Sequence, residues 1–536
     1  MRHLKLWMAG WAVHCLLGLA ACAQTAPAPA ERAAAPPPAP FTGPVSGSLA
    51  GPSAEPTLLT ASAPFRRVTQ HSLFLNGDEV AYSAIAGETW LRDLEGAPTA
   101  SIFSFTYLRT DVMSDRRPVV FVFNGGPGSA SIWLHMGAIG PRRVVLGADV
   151  NPPNVPPFGL EDNPHSLLDA ADLVFIDPVG TGFSVPLNGT DPKAFWGVDE
   201  DAEAVAQFIE LWLSEHGRWN SPKYVLGESY GSVRAAVLAR ALMGGPIYTG
   251  LMRGITLDGI ILLGTTLEAR GPAGADPAPA EVAARQARSL PGLAVTSAYH
   301  GLVETGPGGA AGFYADAAAY AHATYAPALQ AHLEGRLEPE TRARVIAELV
   351  RFTGLSPDDF GVDIHIDERR YAKTALRSRG LEIGMYDSRY TLALAQSGGD
   401  PVADDPAMTR YVPGFIAAFH QMIRNDLDIA LGRPYYSIRW RDLLQSWNWA
   451  RQGVADGQSF ATDLAWSMRR NPDLRLLVTS GLYDLVTTPA DARASLEAAG
   501  IDADRTTFID YESGHMLYLG GTSEAFSADL RRFIRQ

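Results

Sequence analysis

The chain has 536 residues, of which 46% are hydrophobic and 19% charged, a composition typical of a globular protein with a large core. Its formal net charge is −14 and it has no run of basic residues. Both features argue against a nucleic-acid partner.

The first residues have the pattern of an export signal. Arg2 and Lys5 precede an apolar stretch that is too short for a membrane-spanning helix. The motif LAAC, which ends at Cys22, resembles a bacterial lipoprotein box and predicts that Cys22 is lipidated after cleavage. Ordinary cleavage and secretion is the alternative. We therefore predict a signal peptide over residues 1–22 and an exported protein, periplasmic or anchored to the outer membrane by its lipid.

A linker is predicted behind this leader. Residues 23–62 are rich in proline, alanine and glycine and carry almost no large apolar side chains, which indicates a disordered tether. The two cysteines of the chain, Cys15 and Cys22, both lie in the leader. We therefore expect no disulfide in the body of the protein.

From about Ala63 short apolar runs alternate with helical patterns. This alternation predicts an α/β fold with a mostly parallel sheet, helices on both faces and a ligand site beyond the carboxyl ends of the strands. The predicted strands lie in HSLFLNG, TASIFSFTYLRT, RRPVVFVFNGG, DLVFIDPVG, KYVLGES, GIILLGT, LRLLVTSG and TTFIDYESG, and helices between them in VDEDAEAVAQFIELWLSEHG and SVRAAVLARALMGG.

A helical insertion is predicted inside this fold. The alternation stops near Leu267 and returns at Leu474, and residues 270–440 are alanine-rich with few strand candidates. This pattern predicts a cap between two parts of the core, residues 63–269 and 441–536. A separate C-terminal domain is the weaker alternative, because its strands would then lack a sheet.

The segment YVLGESYG carries a G-x-S-x-G motif between a predicted strand and a predicted helix. Such a sharp turn needs small flanking residues and presents its serine hydroxyl at the helix N-terminus. It predicts Ser229 as a nucleophile. The alternative is a glycine-flanked turn that only joins a strand to a helix.

A serine nucleophile needs a base, and the base needs an orienting carboxylate. In folds of this class they follow in the order Ser, Asp, His. Asp484 follows one late predicted strand and His515 follows the next. We predict His515 as the base and Asp484 as the orienting acid.

The glycine-rich stretch FVFNGGPGSAS exposes main chain directly after an apolar strand. Acyl transfer needs backbone N–H donors aimed at a developing oxyanion. One donor is expected from Tyr230, the residue after the nucleophile, and the other from the Gly125-Gly126 loop.

Together these motifs resemble the serine carboxypeptidases. NGGPGSAS, DPVGTGFS, GESYG, the Asp484 turn and GHM occur in the family's order across about residues 100–520. The resemblance implies an α/β-hydrolase fold with an inserted cap, and removal of single residues from peptide C-termini, usually best at acidic pH. Carried over by position, it implies a triad of Ser229, Asp484 and His515 and an oxyanion hole of Gly126 and Tyr230.

The resemblance also implies a site for the substrate's terminal carboxylate. Asn124 and Glu228 would hydrogen-bond that group beside Gly125, and Met516 would line the pocket for the leaving residue. Because a carboxylate that faces a carboxylate must share a proton, Glu228 would have to be protonated, a reason for an acidic optimum.

The chain departs from the family pattern at three places. Ser129 stands where a cysteine is usual, and Asp177-Pro178 replaces the usual D-Q-P. A second glutamate that often supports the carboxylate site is replaced by Ala138. Of the expected properties, exopeptidase specificity is the one that the absence of this glutamate affects most.

Two other functions remain compatible with the sequence. An esterase or acyltransferase could use the same triad, and a non-catalytic binding protein could keep the scaffold, although the intact triad argues against it. We expect peptide substrates and membrane contact only through the lipid. No cofactor or metal is expected, because HExxH, a cysteine cluster and a P-loop Lys-Ser/Thr are all missing from the sequence.

Overall fold

The structure is a computed structural model that describes most of the chain after the predicted linker. The described residues are 63–112, 116–147, 150–245, 249–268, 277–395, 399–455 and 457–536. The predicted leader, Cys22 and the 23–62 linker lie outside them. Residues 63–536 form one compact unit.

Within the described residues, strands appear in all eight segments where the sequence predicts them, and six further strands were not predicted. A long strand that the predictions missed, β2, pairs with both of its sequence neighbours. The strands are β1 (Arg66–Leu75), β2 (Asp78–Arg92), β3 (Pro98–Arg109), β4 (Val119–Phe123), β5 (Arg142–Val145), β6 (Gly159–Asp162), β7 (Asp172–Asp177), β8 (Val185–Pro186), β9 (Lys223–Glu228), β10 (Gly259–Leu263), β11 (Leu381–Ile383), β12 (Thr391–Ala393), β13 (Arg475–Gly481) and β14 (Thr506–Tyr511).

The main sheet has the order β1-β2-β3-β7-β4-β9-β10-β13-β14, with β8 paired to β3. In this order, the pairs from β1 to β7 are antiparallel. The pairs that follow, from β7 through β4, β9, β10 and β13 to β14, are parallel. Every residue of β4, β7 and β9 is buried, because helices or loops cover both faces of the sheet there. β5 pairs with β6 and β11 with β12 in two small hairpins.

The helices cover both faces of the sheet and build a separate cluster. They are α1 (Val198–Glu215), α2 (Tyr230–Met243), α3 (Pro279–Ala287), α4 (Leu290–Tyr299), α5 (Gly309–Tyr320), α6 (Ala326–Leu333), α7 (Pro339–Thr353), α8 (Glu368–Thr374), α9 (Pro406–Asn425), α10 (Arg441–Ser446), α11 (Ala461–Arg470), α12 (Pro489–Ala498) and α13 (Ser523–Arg535). Short 3-10 or π-helical turns occupy 134–139, 192–194, 321–325, 357–360, 377–379 and 503–505.

Two apolar clusters sandwich the sheet. Helices α1, α2, α11 and α12 pack on one face, and α9, α13 and the 134–139 turn pack on the other. This arrangement confirms the α/β-hydrolase fold class expected from the sequence. No helix among the described residues combines the length and the apolar character that crossing a membrane requires.

Helices α3 to α8 bury their apolar side chains mainly against one another. Their cluster runs from Ala283 to Ile383 and adds Leu485, which directly follows Asp484. Helix α9 instead packs in the cluster on the main sheet. The cap boundaries at 270 and 440 stay a prediction.

Asp177, at the end of β7, is a buried acid that holds the glycine loop. Its Oδ1 accepts hydrogen bonds from the amide of Ser131 at 2.9 Å and the Ser131 hydroxyl at 2.8 Å, and its Oδ2 has no partner among the described residues. Burial raises the pKa of Asp177 to about 6, against the effect of these hydrogen bonds. The folded protein therefore binds the Asp177 proton more tightly than the unfolded chain does. The stabilising contribution of protonated Asp177 is present at low pH and is lost as pH rises through about 6.

We predict that Asp177→Asn flattens the pH dependence of stability. The asparagine keeps the acceptor for Ser131 and cannot ionise, so the free energy of unfolding should fall less between pH 4.5 and 7.5 than in wild type. The difference should be on the order of 2 kcal/mol. Denaturant unfolding at several pH values measures it, with exposed Asp78→Asn as the control for loss of one charge. Parallel curves for wild type and Asp177→Asn would contradict the prediction.

Candidate active site

Ser229 lies in a strained turn between β9 and α2. Its backbone has φ 60° and ψ −127°, a conformation that non-glycine residues rarely adopt. A Cβ on Gly227 would lie 2.1 Å from the carbonyl oxygen of Gly231, and one on Gly231 would lie 3.0 Å from the carbonyl oxygen of Phe123, so the turn favours glycine at both positions. This geometry is that of a nucleophile elbow, and it leaves Ser229 partly exposed.

His515 and Asp484 form a buried pair on the turns after β14 and β13. The Nδ1 atom of His515 lies 2.7 Å from Oδ2 of Asp484, and the side chains are 3% and 0% exposed. Burial opposes protonation of the imidazole, but the charge and hydrogen bond of Asp484 outweigh it and raise the pKa of His515. The pair can therefore accept a proton at Nε2 and stabilise the imidazolium that results.

Thr487, which the sequence predictions missed, ties this pair together. Its hydroxyl donates to Oδ2 of Asp484 at 2.6 Å and lies 3.0 Å from Nδ1 of His515. The amides of Val486 and Thr487 donate to Oδ1 of Asp484 at 2.8 and 3.0 Å. An aspartate that accepts backbone N–H groups two and three residues later forms an Asx turn, the one local signal that could have indicated Thr487.

The loop before β12 holds His515 from the cap side. The carbonyl of Tyr386 accepts the His515 amide at 2.6 Å, and the two rings meet edge to face at 5.4 Å. A Cβ on Gly514 would lie 2.4 Å from Cβ of Asp387. The glycine before His515 is therefore required by a segment about 130 residues earlier in the sequence, which no local pattern reveals.

Ser229 and His515 both contact the end of β10. The amide of Ser229 donates to the carbonyl of Leu263 at 2.9 Å, and a Cβ on Gly264 would lie 2.9 Å from Cε1 of His515. Among the described residues, the hydrogen bonds of the His515 ring run to Asp484 and Thr487 and not to Ser229. In a free enzyme, the hydrogen bond between a catalytic hydroxyl and its base is often long, and it shortens only when substrate binds.

The glycine loop packs directly against the elbow. A Cβ on Gly125 would lie 2.4 Å from the amide nitrogen of Tyr230, so only glycine permits this approach. Buried Arg234 of α2 donates to the carbonyl of Asn124 at 2.6 Å and pairs with Asp201 of α1 at 2.6 Å. Gly126 follows with φ 106°, again a glycine conformation. The loop predicted to offer an oxyanion donor therefore lies beside the Tyr230 amide.

The Glu228 carboxyl, on the residue before Ser229, lies close to the Asn124 side chain. Asn124 and Glu228 are 1% and 3% exposed, and Asn124 Nδ2 and Glu228 Oε2 have no hydrogen-bond partner among the described residues. Burial raises the pKa of Glu228 to about 7, against the effects of the His515 charge and the nearby Tyr518 hydroxyl and Asn124 amide. Glu228 is thus predominantly a neutral acid at mildly acidic pH. Met516, the residue after His515, is buried in the apolar cluster on the face of the sheet that α9 and α13 cover.

A metal site in a protein needs several ligating side chains close together. Among the described residues, no group of three or more His, Cys, Asp or Glu side chains could hold a metal ion.

Comparison with known proteins finds a family model that is similar to part of the chain. The family model described as serine carboxypeptidase matches residues 93–266. A pheromone-processing carboxypeptidase of Phaeosphaeria nodorum is 33% identical over 153 residues, which cover 28% of this chain and 22% of that protein. A serine carboxypeptidase of Caenorhabditis elegans is 28% identical over 146 residues, 26% of each protein. The chain thus spans about a quarter of the length of these curated relatives.

Similar solved structures include a proline iminopeptidase of Mycobacterium smegmatis. It is 14% identical, with a TM-score of 0.34, and covers 84% of this chain and 98% of its own. A peroxisomal α/β-hydrolase of Saccharomyces cerevisiae is 8% identical, with a TM-score of 0.31, and covers 88% of both chains.

We predict that Thr487→Val lowers kcat on a simple alkyl ester roughly three- to tenfold with little change in KM. Valine keeps the shape but removes the hydroxyl that fixes the Asp484–His515 pair, and one such hydrogen bond contributes about 0.5–1.5 kcal/mol. Steady-state kinetics against pH measures the effect.

The matched control is Thr488→Val. The Thr488 hydroxyl caps α12 by accepting the Asp491 amide at 3.1 Å, so this change should affect stability rather than kcat. Equal kcat values for the two variants would show that Thr487 has no special role.

Proposed function

We propose that this chain, which belongs to the serine carboxypeptidase family, is a serine-type carboxypeptidase that releases C-terminal residues from peptides. The observation that carries the proposal is a pair of buried polar atoms, Asn124 Nδ2 and Glu228 Oε2, that lack a regular hydrogen bond among the described residues and belong to side chains next to an elbow serine. A hydrolase that needs only a triad has no use for a neutral acid and an amide donor in that place. A terminal carboxylate would use both.

In the proposed reaction, the hydroxyl oxygen of Ser229 bonds to the scissile carbonyl carbon while its proton moves to Nε2 of His515. The amides of Gly126 and Tyr230 would donate to the oxyanion that develops. When the C–N bond breaks, His515 returns the proton to the leaving amine. Water then repeats the sequence on the acyl-enzyme, with His515 as base, and frees the shortened peptide and the serine.

Recognition of the leaving residue follows from the protonation of Glu228. Below about pH 7 the protonated acid can donate to a substrate carboxylate, and Asn124 Nδ2 can donate as well. Above that pH two like charges would face each other in a buried site. Peptide cleavage should therefore favour acidic to neutral pH, whereas ester cleavage without a carboxylate should not share this loss.

The same proposal includes location. The LAAC motif at Cys22 and the proline-rich linker behind it support export and a lipid anchor. The linker would let the enzyme reach peptides away from the bilayer. Membrane contact would then come from the lipid alone.

We predict that Ser229→Ala lowers peptide and ester hydrolysis at least about a thousandfold and abolishes labelling by a fluorophosphonate, because the nucleophile is lost. Ser495→Ala, on α12, is the matched control and should label like wild type. Hydrolysis by Ser229→Ala within tenfold of wild type would remove Ser229 from the reaction.

We predict that Glu228→Gln flattens the alkaline loss of peptide cleavage. Glutamine keeps a donor and cannot ionise, so kcat/KM for an acid-terminated dipeptide should fall less steeply above about pH 7 than in wild type. Alkyl ester hydrolysis should change little. The measurement is kcat/KM against pH for both substrates in both enzymes.

Exposed Glu512→Gln controls for the loss of a nearby acid. Identical pH profiles for wild type and Glu228→Gln on both substrates would make Glu228 structural. Cleavage of the ester but not of the dipeptide by wild type would favour the esterase alternative.

We predict that Cys22→Ser moves the protein from the membrane fraction to the soluble fraction, since the acylated residue is lost. Fractionation and metabolic labelling with palmitate measure this, and Cys15→Ser is the control. Equal processing and distribution of Cys22→Ser and wild type would indicate simple secretion.

A further inference from the structure

We propose that the hydroxyl of Tyr518 is a third donor for the substrate's C-terminal carboxylate, beside Asn124 and Glu228. The proposal rests on the carboxypeptidase function proposed above and names a specificity residue for it. Tyr518 follows His515 by three residues, on the turn that leads from β14 to α13.

The Tyr518 hydroxyl is buried beside two other polar side chains. The residue is 1% exposed, and its OH has no hydrogen-bond partner among the described residues. It lies beside both the Glu228 carboxyl and the Asn124 side chain, in polar contacts that are longer or less well aligned than a regular hydrogen bond. Unpaired buried polar groups are costly, and a cluster of them calls for a functional explanation.

The orientation of Asn124 is fixed. Its Oδ1 accepts the amide of Leu134 at 3.1 Å, so the unpartnered Nδ2 is the group that turns to the cluster. Asn124 Nδ2, Tyr518 OH and protonated Glu228 therefore present three donors within one buried site. A carboxylate has two oxygens with about four acceptor positions, and it is the ligand that satisfies such a set.

Small residues make room for the tyrosine ring. A Cβ on Gly137 would lie 2.6 Å from Cε2 of Tyr518, so the ring packs directly on the glycine backbone. The next residue, Ala138, is buried in the same apolar core cluster as Tyr518 and has no polar side-chain atom. The Ser523 hydroxyl donates to the carbonyl of Tyr518 at 2.5 Å, which fixes the backbone behind the ring.

The hydroxyl also links recognition to pH. Burial and the charge of Glu228 raise the pKa of Tyr518 well above its usual value, so it remains a neutral donor wherever Glu228 titrates. Glu228 itself is faced by His515, Asp484, Asn124 and Tyr518. Once ionised, Glu228 competes with the substrate for the Tyr518 and Asn124 donors. Removing the hydroxyl should raise the pKa of Glu228, because the contact with Tyr518 lowers it.

Tyr518→Phe tests the proposal in two measurements. The first is kcat/KM against pH for an acid-terminated blocked dipeptide and for an alkyl ester. The variant should lose about tenfold or more on the dipeptide at pH 5, mainly through KM, and less than twofold on the ester. Its alkaline limb on the dipeptide should move to higher pH. Tyr314→Phe is the matched control, since its buried hydroxyl also lacks a regular hydrogen bond among the described residues but lies in another cluster.

The second measurement is calorimetric binding of the same dipeptide and its C-terminal amide to Ser229→Ala, with and without Tyr518→Phe. Tyr518→Phe should weaken binding of the acid about tenfold or more and leave binding of the amide unchanged. Equal losses on acid and amide would make Tyr518 a structural support, and no loss on the acid would make its hydroxyl irrelevant; either result overturns the proposal. Failure of the wild type to cleave the dipeptide would instead refute the proposed function, while this binding comparison still decides the role of Tyr518.

Discussion

The close approach of the glycine loop to the elbow is the constraint on which the rest of the site depends. Gly125 touches the backbone of the Ser229 turn so closely that no side chain fits between them. The strained φ of Ser229 persists because neighbours on both sides hold it. Arg234 secures the contact from behind by bonding the Asn124 carbonyl and pairing with Asp201. The proposed oxyanion donors and carboxylate donors therefore share one rigid support.

Burial gives the titratable groups of the site different proton affinities. Desolvation raises the pKa of Glu228 to about 7, whereas the nearby Asp484 charge raises that of His515 despite burial. An acid that stays neutral and a base that has its own counter-ion can then work side by side. Among the described residues, the same burial leaves Asn124 Nδ2, Glu228 Oε2 and the Tyr518 hydroxyl without regular hydrogen bonds, which costs stability in the free protein. A substrate that pairs with them would recover this cost.

The cap contributes to the site through the acid turn. Leu485, the residue after Asp484, belongs to the apolar cluster of α3 to α8, and the Tyr386 carbonyl holds the His515 amide. Tyr483 packs with Val295 and Tyr314 on its other side. The Asp484–His515 pair is therefore held between the sheet and the helices α3 to α8.

The sequence by itself determined the fold class, the elbow at Ser229 and the positions of Asp484 and His515 after consecutive strands, because these follow from local patterns: apolar runs, turn glycines and strand order. Strand β2 was missed although its buried positions alternate with less buried ones, the pattern of a half-buried strand. Only the tertiary structure decided that Thr487 bonds the pair, that Asp387 requires Gly514, and that Tyr518 faces Glu228 and Asn124. Apart from the local bond between Thr487 and Asp484, these contacts join segments distant in sequence, and their distances depend on how the sheet, the loops and the helices pack together.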